Sequence, residues 1–463
     1  MAKHKIVHAA AASGLTLCIL PALAEENQGV VMTFDFEQRF EAGDNIALEN
    51  PEEGNTTLST TSLTFGLTTE THNQSLSVLA GAKLRAGEIP SGSDIETGFV
   101  EPRISFSYMR EAANSVLDLD GSYRQSDISF QPAVSDFADD DGVIVLPPDF
   151  EDLEGSGTRR NYNLNASLEI GREAPLGFVF TASTSGISYD QQTAALSDIE
   201  RYSAGIRSNF RFSDVTTAFA VFNYDHYEAD DIQSTERNTN AVEVGVAQEL
   251  SERFRFEAAI GFSETEETLF RVLDTTTSGV TGRATLSYDM PNGVITGNYA
   301  TTRDQDGARH NVSVGRSYEL PRGEIAVSVG ATSKDSGDPA LIGSVDYMQD
   351  LATGNFKVGI NRNVSISNED EERITTTAVM GYNHDINNIS SLGLDFSYGL
   401  SEGNSTADET LRTDVSASYN RDVTEDWKIS TGVSYRVRDQ DTSGKSDSTS
   451  IFVTLKREFD FFR

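Results

Sequence analysis

The side chains that could do chemistry in this sequence are mostly carboxylates, and they are unevenly placed. Residues 127–158 hold Asp127, Asp136, Asp139, Asp140, Asp141, Asp149, Glu151, Asp152 and Glu154, with no Lys or Arg. The same segment holds Val143-Ile144-Val145-Leu146, followed by Pro147-Pro148. A loop of this composition can fold onto an apolar-lined wall through Val143–Leu146 and present its acids to passing cations. Asp139, Asp141 and Gly142 resemble part of a calcium loop, but Phe137 occupies the first ligand position, so no metal site is assigned. Hydrolytic chemistry would need a histidine near a nucleophile or an acid. Tyr224-Asp225-His226-Tyr227 is the one short string of that kind, and His226, His310 and His384 fall on the apolar parity of their segments. No enzyme activity and no cofactor is expected. The charge total, 36 Lys and Arg against 72 Asp and Glu, is the wrong sign for a nucleic-acid partner.

The elements that must position these residues show through a period of two. Trp427, Ile429, Thr431, Val433, Tyr435 and Val437 fall on one parity, and Lys428, Ser430, Gly432, Ser434 and Arg436 on the other. Phe254, Phe256, Ala258, Ile260 and Phe262 oppose Arg255, Glu257, Ala259, Gly261 and Ser263 in the same way. Such alternation places each set on its own face of a strand. It recurs from Val31 to Phe459 and predicts about 22 strands. Short turn-rich connections such as Pro291-Asn292-Gly293 interleave with longer acidic ones, among them 41–57, 127–158, 267–277 and 439–447.

A soluble sandwich also alternates, but its strands usually run five or six residues. Those here run about 11 to 13; at about 3.3 Å per residue and a tilt near 45° they rise about 26 Å, the height of a bilayer hydrocarbon band. Aromatics on the apolar parity gather at both strand ends. Tyr288, Tyr318, Tyr347, Tyr382, Tyr419 and Trp427 lie near the short turns, and Tyr162, Tyr202, Tyr224, Phe262 and Tyr435 toward the longer loops. Two belts of Tyr and Trp suit two membrane interfaces. The N-terminus carries Lys3 and Lys5, an apolar run and Ala22-Leu23-Ala24, which reads as a secretory signal cut after Ala24, with residues 25–463 forming one barrel domain. The single cysteine, Cys18, lies inside that signal, so no disulfide is needed.

On these residues the chain resembles Gram-negative outer-membrane β-barrels of the porin-like type. The last strand, with Ile451, Val453, Leu455, Phe459 and Phe461-Phe462, is similar to the terminal strand that the barrel-assembly machinery recognises, although Arg463 follows the aromatic pair. TonB-dependent transporters also have 22 strands, but they carry a plug domain ahead of the barrel, and only a few residues separate Ala24 from the first strand here. The resemblance implies an outer-membrane location among its lipids, both termini in the periplasm, long loops outside, and passive diffusion of ions and small hydrophilic solutes. Export of a polysaccharide, or an adhesive barrel with a filled lumen, are the other readings. The polar parity should then line the pore, with Arg201, Arg207, Glu243, Arg283, Asp346, Lys357, Asp395, Asp414 and Arg436 as candidate lining residues. Asp136, Asp139, Asp140 and Asp141 are the candidates for an inward-folded, constricting loop. Basic and acidic positions nearly balance along this wall, so the excess acid belongs to loops and ends.

Overall fold

In a computed structural model the chain closes into one antiparallel sheet of 22 strands. The structure describes residues 29–52, 54–90, 95–130, 133–138, 143–153, 157–190, 196–270, 274–305, 307–335, 339–366, 372–403, 409–441 and 443–461. The strands are β1 (Val30–Asp44), β2 (Asn55–Thr71), β3 (Gln74–Glu88), β4 (Gly98–Ala112), β5 (Ser115–Asp127), β6 (Thr158–Ile170), β7 (Leu176–Tyr189) and β8 (Ile199–Ser213). They continue as β9 (Thr216–Ala229), β10 (Glu236–Ser251), β11 (Phe254–Thr268), β12 (Thr275–Met290), β13 (Gly293–Asp304), β14 (Gly307–Leu320) and β15 (Gly323–Lys334). The remainder are β16 (Ala340–Leu351), β17 (Gly354–Ile366), β18 (Glu372–Asn387), β19 (Ser390–Gly403), β20 (Thr410–Asp422), β21 (Trp427–Gln440) and β22 (Gly444–Phe461). Each strand pairs with its neighbours in sequence. β1 also pairs with β22, from Met32 opposite Phe461 to Gly43 opposite Ser450. That last pairing leaves no sheet edge, which is the condition for crossing a bilayer with strands.

The alternation assigns the faces. Directly opposed residues share a face. Phe34 opposite Phe65 and Ile260 opposite Val244 through Ala258 opposite Val246 make a continuous apolar exterior. Asp35, Glu37 and Arg39 point the other way, opposite Thr64, Ser62 and Thr60. Exposed Val244, Ile260, Val280, Val314 and Val329 belong to that exterior, so the chain carries its apolar surface outside and its polar surface within. Short turns at one end are mostly two residues long. Gly293 opens β13 after such a turn with φ +133°, and a Cβ there would come 2.0 Å from the Ser317 carbonyl oxygen, so only glycine fits.

Two expectations needed correction. The strands run 12 to 18 residues, longer than the alternation alone marks. β1 and β2 pair as far as Asp44 opposite Asn55, and β22 begins at Gly444, so the connections expected at 41–57 and 439–447 shrink to 45–54 and 441–443. Beyond the hydrocarbon band both faces are wet. The ladder continues there through Asn, Thr and Ser without any apolar alternation to announce it. Pro102 lies inside β4 at a bulge where the β3 register shifts between Gly81 and Lys83. A bulge tolerates the missing donor of proline.

Candidate functional site: the lumen and its strap

The long acidic connection between β5 and β6 folds inward. Val134–Phe137 form one 3₁₀ turn, Ala138 bridges Ile144, and the segment then crosses to the inner face of β18–β21. Val134, Ile144, Leu146 and Phe150 make a buried cluster with Phe137 and with Val379 of β18. Ile144 and Leu146 turn inward while Val145 between them is 55% exposed, an extended apolar run used on one face. A second cluster, Ile128, Leu153, Tyr189 and Leu196, packs the root of the same segment. In a wet lumen these side chains gain about 1.5–3 kcal/mol each by leaving water, which supplies the drive for inward folding. Gly399 of β19 lets the strap lie close. A Cβ there would meet Leu146 and Val134 at 3.2 Å and Phe150 at 3.3 Å.

Polar anchors fix where the strap lands. The Arg412 guanidinium donates to the carbonyls of Phe150 (2.8 Å) and Leu153 (3.2 Å) and lies over the Phe150 ring at 4.5 Å. Arg373 pairs with Glu151 at 2.6 Å, both side chains buried. Gln440 donates to the Glu151 carbonyl (3.2 Å), and the Thr377 hydroxyl to that of Ile144 (3.2 Å). The Asp414 carboxylate accepts the Val134 N–H at 2.9 Å and the Ser397 hydroxyl at 3.3 Å. At the root, fully buried Asp149 accepts from Arg159 at 2.5 and 3.0 Å and from the Tyr189 hydroxyl. The strap therefore runs from the β5–β6 rim to the β18–β21 wall, and among its described residues every buried acid has a basic or hydroxyl partner. The β1–β2 connection also turns inward. Ile46, Ala47 and Leu48 are buried, Arg436 donates to the Ile46 carbonyl, and Asn45 donates to the Asp447 carbonyl at 3.2 Å.

Under the strap lies a cavity of about 610 Å³, bounded by β1–β5 on one side and β17–β21 on the other. Lys357, Asp395, Asp414, Arg436 and Asp136 all line it, so five of the residues expected from sequence share one space. Asp139, Asp140 and Asp141 lie outside the described residues. The other expected residues sit on a different stretch of wall. Arg207, Glu243 and Arg283 form a network with Glu257, with Arg283 at 3.4 Å from Glu243 and 3.2 Å from Glu257, and Arg207 at 3.8 Å from Glu257. Arg201 lies 4.9 Å from the centre of the Tyr227 ring, and Asp346 stands opposite Gly359.

The inner face is not uniformly polar, as alternation had implied. Phe219 of β9 is buried there between Arg207, 3.9 Å from its ring centre, and Arg283 at 5.6 Å. Phe452 of β22 lies under Arg39 at 4.0 Å. Val379 carries the strap. Arg373, Arg438 and Gln440 were not among the expected lining residues, because they lie in the polar strand extensions. The one triad-like string is split by the pleat. Tyr224 and His226 face outward, where the His226 ring lies tilted against Tyr202 with centres 6.0 Å apart, while Asp225 and Tyr227 face the lumen. Asp225 and His226 are thus on opposite sides of the sheet and cannot act as a pair.

No protein-family model matches the sequence, and neither does any curated protein. Solved structures do match in shape. The ferric-catecholate import receptor Fiu from E. coli K12 aligns with a TM-score of 0.58 at 9% identity, over 94% of this chain and 82% of that one. The FrpB iron transporter of Neisseria meningitidis gives 0.57 at 9% identity, over 94% and 82%. A variant of the ferric enterobactin receptor PfeA of Pseudomonas aeruginosa gives 0.53 at 9% identity, over 92% and 81%. The fold is that of an outer-membrane β-barrel. At such identities the likeness extends to the barrel architecture, and the lumen must be read from its own residues.

Proposed function

We propose that this outer-membrane barrel is a channel for ions and small hydrophilic solutes, narrowed at its loop end by the strap. The observation that carries the reading is the strap itself. An acidic segment spends its few apolar side chains on docking to the inner wall, so it occupies the lumen while leaving a water-accessible, charge-lined cavity beside it. The Ser, Thr and Gly surface of β15–β21 and the paired charges of β8–β12 give solutes hydrogen-bonding walls without a continuous apolar barrier. The longer connections then face the outside and both chain ends the periplasm. The barrel lipids contact the aromatic belts, and the terminal strand serves the assembly machinery.

Planar-bilayer recording tests this. The intact barrel should give a small ohmic conductance, and deletion of residues 134–150 should raise it several-fold and change the ion preference. Unchanged conductance and preference after deletion would remove the strap from the path. A silent but folded barrel would favour a filled, adhesive role. A second reading comes from the solved structures of similar shape, among them a ferric-catecholate import receptor and an iron transporter. Uptake of an iron chelate would show as chelate-dependent growth in low iron, without ohmic conductance. A polysaccharide conduit would instead show in loss of surface polymer on deletion of the gene.

A further inference from the structure

The corner of the cavity formed by β2–β5 has cations that its own carboxylates do not satisfy. Arg103 and Arg124 stand directly opposite each other on β4 and β5, facing the lumen. Like charges in that position destabilise a strand pair. Lys83 and Arg85 are the other two cations, and they use up the two local acids. Glu101 takes Lys83 at 2.6 Å and Arg85 at 2.5 Å, and Asp127 takes Arg85 at 3.0 Å. Among the described residues Arg103 reaches only the Thr64 hydroxyl, at 3.1 Å, lying across Gly81, where a Cβ would come 3.2 Å from its Nε. Arg124 has no ion-pair partner among the described residues. Lys83, Glu101, Arg103, Arg124, Ser62, Thr64 and Gln125 surround one small pocket, which opens beside the cavity that Arg124 also lines.

The backbone is bent to make this arrangement. Glu101 has φ +52°, a left-handed conformation that costs any residue bearing a Cβ, and it sits at the Pro102 bulge. The bulge places the Glu101 carboxylate between Lys83 and Arg85, not beside Arg103 and Arg124. Strain and a like-charge pair in the same few residues make sense together if something else neutralises the two guanidiniums.

We propose that this corner is a binding site for a doubly charged oxyanion, held by forked N–H donors from Arg103 and Arg124 with Lys83 and the Thr64 hydroxyl around it. Guanidinium forks match the oxygens of phosphate and carboxylate groups, and charge-assisted bonds are the stronger kind. The site rests on the channel reading only for its access route. It makes the lumen selective for solutes that bear such a group.

Binding of inorganic phosphate to the folded full-length barrel in detergent tests the site directly, by ³¹P line broadening titrated against chloride. The intact protein should broaden the signal saturably. R103Q/R124Q should weaken binding by at least about tenfold, as expected for loss of two charge-assisted contacts. R255Q, which breaks a pair with Asp289 on another part of the wall, should leave it unchanged. R103K/R124K keeps the charge and loses the forks, so it should fall between, and heat-modifiable gel mobility confirms that each variant is folded. Non-saturable broadening, or equal broadening by R103Q/R124Q, overturns the site. A barrel that conducts yet fails this titration loses the site and keeps the channel reading. One that binds phosphate saturably but is silent in bilayers keeps the site and loses the channel.

Discussion

Arg412 offers the sharpest perturbation of the strap. Its guanidinium donates to two strap carbonyls, those of Phe150 and Leu153, and its stem lies against the Phe150 ring. Arg412→Met keeps an apolar stem for that contact and removes both donors. Two buried carbonyls then lose their partner, at about 1–3 kcal/mol each. Taking about 3 kcal/mol for the pair, the docked strap loses a factor of about 150 against its undocked form. The barrel wall itself is untouched, because the β19–β20 and β20–β21 ladders use backbone groups. Hydrogen exchange separates the two. The Val145 amide, bonded to the Phe137 carbonyl, and the Phe150 amide, bonded to the Pro147 carbonyl, should exchange about 100-fold faster. Amides in the middle of β20 should not change. Strap protection within threefold of the unmodified protein would refute the reasoning, since it would mean that the arginine follows the strap instead of holding it.

Other outcomes follow from the same geometry. Asp149→Ala leaves Arg159 and the Tyr189 hydroxyl without their buried acceptor, so proteinase K should cleave within 130–157 many times faster while the barrel band survives on a gel. Gly399→Val puts two methyls where Leu146, Val134 and Phe150 already stand within 3.3 Å, and should raise single-channel conductance toward that of the strap deletion without loss of folding. On the exterior, Val329→Arg should cost about 2–4 kcal/mol in a denaturant titration in lipid, as a charge at mid-membrane does, whereas Ser344→Arg on the lumen face should cost under about 1 kcal/mol.

The barrel was legible because the same two-residue period was imposed along the whole chain. Trp427 to Val437 already shows which side of β21 meets lipid, and a closed sheet allows no other placement for such strands. The strap was legible in outline, because Val143–Leu146 is an apolar run in an acidic segment and has to find cover. Its landing place was not. Asp414 and Val134 are 280 residues apart, and nothing in either neighbourhood names the other. Gly399 reads as one more small residue in a polar face, yet it fixes the approach of three strap side chains. Arg373 and Gln440 were missed for a different reason: they lie where the strands leave the membrane and the alternation that marks a face has ended. Phe219 and Phe452 broke the face rule outright, since an aromatic ring in the lumen is stable when a guanidinium and a glycine cover it, and neither is visible from local pattern.

The partners of the strap also fix a time order. Four of its far-wall anchors, at Thr377, Arg412, Asp414 and Gln440, lie 233 to 289 residues further along the chain, while nearly every strand contact is made with an immediate neighbour. Strands can therefore zip together in sequence, but the strap has no seat until β18–β21 are in the sheet. Until then Val134, Ile144, Leu146 and Phe150 have no cover, and the nascent barrel carries a sticky segment through most of its assembly. Narrowing the lumen is one of the last events in making this protein. The strap takes its place only after the wall that surrounds it is complete.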